Sequence, residues 1–84
     1  MDSNLIREKI LSGNGAMSKH ARVRAGQRKV KGTDVVLAIA NCEIIEDYPE
    51  DVRGHSCLVL GYIGPGRPVH AVCGIDPSGT LRAH

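Results

Sequence analysis

Residues 56–75 read SCLVLGYIGPGRPVHAVCGI, two apolar runs on either side of Gly64-Pro65-Gly66. Both runs have strand length and are rich in Val, Leu, Ile and Cys, and the glycines can supply the special backbone angles of a tight reversal. Together they predict a β-hairpin. In the second run, alternation places Val69, Ala71, Cys73 and Ile75 on one face and Pro68, His70, Val72 and Gly74 on the other. His70 is thereby set off the more apolar face. Downstream, Asp76-Pro77-Ser78-Gly79 carries Pro and Gly where a type I turn favours them, so TLRAH begins a further strand. Upstream, EIIEDY at 43–48 reads as a strand ended by Pro49, and residues 49–55 form a polar loop.

The first half of the chain has a helical period. VVLAIA at 35–40 follows Thr33, a good N-cap, and Asp34, which suits the positive end of a helix dipole. A buried helix over Asp34–Asn41 is expected, with a strand as the competing reading. Ser18 caps a second helix running to about Lys29, although Gly26 inside it costs about 1 kcal/mol relative to Ala. Asp2 or Ser3 caps a first, short helix through Leu5, Ile6 and Ile10, stopped by Ser12-Gly13-Asn14-Gly15. Helices followed by an antiparallel meander give an α+β class. The expected architecture is one domain over residues 1–84, with two or three helices within 1–41 packed on a three- to four-stranded antiparallel sheet within 42–84.

Composition limits what such a domain contains. Eighty-four residues support a single small core. With no Trp, no Phe and only Tyr48 and Tyr62, that core is aliphatic. Cys42, Cys57 and Cys73 are odd in number and sit among apolar residues, which suits reduced buried thiols better than a disulfide framework. VVLAIA, the longest apolar run, falls far short of the roughly 20 residues of a membrane span. The N-terminus lacks the pattern of a signal peptide. No membrane partner and a cytoplasmic location are expected; the oligomeric state is left open.

Charge is unevenly distributed. Arg7–Gly32 holds eight Lys or Arg against Glu8, a net +7, whereas Thr33–Arg53 holds six acids against Arg53, a net −5. The two blocks either neutralise each other in the fold or leave the basic one for an anionic ligand such as RNA. In the stretch SKHARVRAGQRKVK, residues 18–31, helical spacing puts His20, Arg24 and Arg28 at i, i+4 and i+8 on one line. Arg22, Lys29 and Lys31 broaden it, and Val23, Val30 and Ala21 are left to face the core. His70 and Cys73 point to opposite strand faces, and no C-x-x-C or H-x-x-x-H pair anchors a metal. SGNG and GPG match neither phosphate-binding nor dinucleotide fingerprints. No metal or other cofactor is expected.

Taken in order, SKHARVRAGQRKV, TDVVLAIANCEIIEDYPED, SCLVLGY and GRPVHAVCGID resemble a small bacterial family of unknown function. Its pattern is similar to H-A-x-x-R-x-x-x-R, then G-E-I-I-E-x-Y-P-x-D, then G-x-P-x-H-V-V. Cys42 stands where that pattern has Gly. The resemblance covers residues 18–76. It implies a fold similar to RelE-like and barnase-like toxin ribonucleases and a small zinc-finger, antitoxin-like partner. His20, Arg24, Arg28 and His70 match the family's polar positions.

The expected function is a toxin-like endoribonuclease working by metal-independent acid–base catalysis. His20 and His70 are the candidate base and acid, in either order, and Arg24 and Arg28 the phosphate holders. Arg22, Lys29 and Lys31 are candidate RNA contacts, and Tyr48 or Tyr62 a stacking surface for a base. Two alternatives stand beside it: a nucleic-acid-binding module without chemistry, and a protein-interaction domain that uses a sheet edge.

Overall fold

The computed structural model describes residues 1–84 and gives the order α1 (Ser3–Leu11), β1 (Gly15–Met17), α2 (Lys19–Gln27), α3 (Gly32–Ala40), β2 (Glu43–Tyr48), β3 (Ser56–Ile63), β4 (Arg67–Ile75) and β5 (Leu81–Ala83). The α+β expectation holds. β2 to β5 form the antiparallel meander, and the 56–75 stretch is its central hairpin, with Ile63 opposite Arg67 across the glycine turn. The strand order is β1-β5-β4-β3-β2, so the sheet has five strands. The additional one, β1, lies parallel to β5, with Gly15 opposite Leu81 and Met17 opposite Ala83.

Each helix begins and ends for a local reason. The Asp2 carboxylate accepts the Leu5 N–H at 2.8 Å and the Ser18 hydroxyl accepts that of Ala21 at 3.1 Å, satisfying donors left over in a first helical turn. α2 stops at Gln27, short of the expected Lys29. Lys29 adopts φ 55°, with its N–H bonded to the Gly26 carbonyl and the Val30 N–H to that of Ala25. These paired bonds close a helix through a left-handed residue. α1 ends the same way on Gly13, φ 82°. α3 starts at Gly32, earlier than expected. Lys31 precedes it without a side-chain cap, so Thr33 is not the cap, while Asp34 does sit in the first turn.

The core lies between α1, α3 and one face of the sheet. Ile6 and Ile39 meet Val59, Ala71, Leu81 and Ala83 there, together with Cys42, Cys57 and Cys73. All three thiols are reduced and buried. α3 comes close to β3 because Gly61 has no side chain: a Cβ at that position would overlap the Ala38 carbonyl. By register, Leu58, Leu60, Tyr62, His70 and Val72 occupy the opposite face of the sheet. α2 behaves differently from the other helices. α3 packs on β3 and β4, and α1 on α3 and β5, but α2 touches the other elements only marginally. Val23, expected toward the core, is exposed. No helix is long and apolar enough to cross a membrane.

Candidate functional site

The loose docking of α2 leaves a cleft of about 400 Å³ between it and the sheet. One wall is α2, where helical spacing brings His20, Arg24 and Arg28 to the cleft along with Ala21 and Ala25. The other wall is β4, which contributes Arg67 to Ala71. Val30, Val35, Ile39 and Ile63 give the cleft an apolar floor, and Ala83 and His84 stand at one end. The four residues expected to carry chemistry, His20, Arg24, Arg28 and His70, thus border a single cavity although they come from opposite halves of the chain.

The charge of the cleft is of one sign. No Asp or Glu lines it, and its titratable side chains are Arg24, Arg28, Arg67, His20, His70 and His84. None of the six is in an ion pair; the molecule's ion pairs are Arg53 with Asp51, His55 with Asp47 and Arg82 with Asp76, all elsewhere. The basic block is therefore not neutralised by the acidic one. The Arg67 guanidinium donates to the Arg28 carbonyl at 3.4 Å, tying the C-terminal end of α2 to β4. The imidazoles of His20, His70 and His84 make no hydrogen bond within the protein.

Arg67 and His84 escape sequence reasoning. Arg67 is adjacent to a glycine turn and reads as a solvated hairpin residue. His84 reaches the cleft only because β5 folds back beside β4. The remaining expected contacts lie outside: Arg22, Lys29, Lys31, Tyr48 and Tyr62 do not line the cleft. Tyr48 donates its hydroxyl to Glu46 at 2.9 Å on β2, and that acceptor raises its pKa. Tyr62 is exposed on β3, on the sheet face away from the helices.

The thiols do not supply an alternative chemistry. Burial pushes the Cys73 thiol up to about 12, helped by the nearby Cys57 and Cys42, and burial likewise raises Cys42 and Cys57. Such thiols are poor nucleophiles at neutral pH. No group of three His, Cys, Asp or Glu side chains is placed to hold a metal ion. A smaller depression near β5 contains Asp51, Arg53, His55, Asp76 and Arg82, whose charges are already taken up by local pairs.

Neither the curated proteins nor the solved structures contain a match to this chain. A family model does match, over residues 17–82, and the span begins at β1 and ends in β5, so it takes in both walls of the cleft. The chain belongs to the family described as Domain of unknown function (DUF4258).

Proposed function

We propose that the protein is a toxin-like endoribonuclease that binds an RNA phosphodiester in the cleft between α2 and β4 and cleaves it by acid–base catalysis. One observation carries this reading: three arginines and three histidines line one cavity that has no Asp or Glu, with His70 at the β4 edge and its side chain on the sheet face opposite the core. An anion is the ligand such a lining favours. Planar guanidinium groups on opposite walls suit the oxygens of a phosphate.

The proposed chemistry follows from that lining. One imidazole takes the ribose 2′-hydroxyl proton as that oxygen attacks the adjacent phosphorus. A second imidazole protonates the departing 5′-oxygen, giving a 2′,3′-cyclic phosphate and a free 5′-hydroxyl. Arg24, Arg28 and Arg67 stabilise the charge that accumulates on the phosphorane oxygens. The lining holds no Asp or Glu side chain, and in this reading the guanidinium groups carry the charge stabilisation. His20 and His70 are the proposed base and acid.

The test is cleavage of end-labelled RNA in excess EDTA. His20→Ala and His70→Ala are each expected to slow cleavage by about 100-fold or more, the usual worth of a positioned acid or base. Arg24→Ala is expected to weaken RNA binding and to flatten its salt dependence by about one counterion. One feature favours a second reading, RNA binding without cleavage: no hydrogen bond orients His20 or His70. In that case Arg24→Ala weakens binding while both histidine variants behave as the parent protein, and no cyclic phosphate forms.

A further inference from the structure

β3 is apolar on both of its faces. SCLVLGYI alternates across the sheet, with Cys57 and Val59 on the side of α1 and α3 and Leu58, Leu60 and Tyr62 on the other. Such a run is the pattern of a strand covered on both sides, whereas an antiparallel sheet with one solvated face turns polar residues outward. No helix covers this outer face, since α1 and α3 pack on the core side and α2 touches the sheet only marginally. Leu58, Leu60 and Val72 are half-buried by their neighbours within the sheet, and Tyr62 is 56% exposed.

Charge is ordered around this apolar strip. Glu43 on β2 and His70 on β4 both stand opposite Leu60, so the three make one cross-strand row, Glu43-Leu60-His70. In the next row Glu46 flanks Leu58, with Val72 across it. Carboxylates thus border the strip on the β2 side and an imidazole borders it on the β4 side. Neither Glu43 nor His70 takes part in an ion pair within the fold. A two-fold axis laid along β3 exchanges β2 with β4. It sets Leu58 and Leu60 against their own copies and carries each Glu43 over the His70 of the other copy, so the charge match is made twice in one pair.

We propose that two copies of this chain pack through this face as a two-fold β-sandwich centred on Leu58, Leu60 and Tyr62. Sheets meeting in this way lie about 10 Å apart with their strands within about 30° of alignment, which keeps the facing rows in register near the axis. A second copy is favoured over a foreign partner because it supplies both halves of the charge pattern. Three strands about 4.8 Å apart, with the eight residues of β3 rising about 3.4 Å each, give a flat footprint of roughly 400 Å² per copy. That area belongs to weak, reversible association rather than to a permanent dimer. The inference does not rest on the RNA reading; where both hold, the dimer withdraws His70 from RNA and the monomer is the active form.

Sedimentation velocity from about 10 µM to about 1 mM protein tests it, with a shift from monomer to dimer expected inside that range. Both leucines point away from the core, so Leu58→Lys combined with Leu60→Lys is expected to leave the circular dichroism spectrum unchanged and to abolish the shift. Glu43→Lys is expected to weaken association by about tenfold, since it removes both pairs with His70 and puts a cation over each imidazole. Cross-linking tests the position of the axis. A short bismaleimide is expected to join Leu60→Cys into dimers but not Leu37→Cys, whose side chain is exposed on α3; the native thiols are buried. A protein that stays monomeric at about 1 mM, a double-lysine variant that still dimerises, or equal cross-linking at the two positions overturns the proposal. If the double-lysine variant does not fold, the two cysteine variants decide the matter alone. No arm reads RNA cleavage, so failure here and failure of the nuclease reading are separate results.

Discussion

Two residues occupy the same structural position with different chemistry. Gly13 and Lys29 each close a helix in the left-handed region, at φ 82° and 55°, but only glycine does so without steric cost. Lys29→Gly is therefore expected to stabilise the fold by about 1 kcal/mol, read as a higher midpoint in urea denaturation. Because Lys29 does not line the cleft, RNA binding should change little in the same variant. The sequence revealed the line of His20, Arg24 and Arg28 because helical spacing is local information. It placed His70 on the correct strand face for the same reason. Arg67 and His84 were hidden because their role depends on which strands meet, and the stacking role expected of Tyr48 and Tyr62 finds no place in the cleft.

The hairpin of β3 and β4 and its continuation to β5 were legible from alternation and turn residues, since each strand pairs with the next in sequence. β1 was not. Its three residues, Gly15 to Met17, carry no period, and they form a strand only because β5 supplies the partner. The competition between helix and strand over VVLAIA was settled by packing: as a helix it lays Ala38, Ile39 and Ala40 against the core. That packing depends on Gly61. A methyl group there would lie 2.7 Å from the Ala38 carbonyl carbon, a backbone atom that cannot move aside without shifting α3. Gly61→Ala is expected to destabilise by about 2 kcal/mol or more, measured by chemical denaturation. α2, by contrast, buries no residue, so its amides should exchange with solvent faster than those of α1 and α3.

At the scale of the molecule, two turn carboxylates tie stability to pH. The Arg53 backbone N–H and the Ser56 hydroxyl hold Asp51 down at about 2, and the Ser78 hydroxyl with the Arg82 guanidinium holds Asp76 well below the usual carboxylate range. Both groups favour the folded state in their charged forms. Their contribution is complete above the ordinary value of 3.8 and is lost as pH falls toward 2, where the unfolded chain binds the extra protons. Thermal midpoints are expected to hold down to about pH 4 and then decline, with a shallower decline in Asp76→Asn. The pairing of β1 with β5 has another consequence, in the time domain. The strand at residues 15–17 cannot find its partner until residues 81–83 exist, so two segments far apart in the chain must meet. Closing so long a loop is slow relative to helix or hairpin formation. On the ribosome, the basic α2 segment therefore leaves the exit tunnel well before the cleft around it can assemble, and any cleft-dependent activity has to wait for β5.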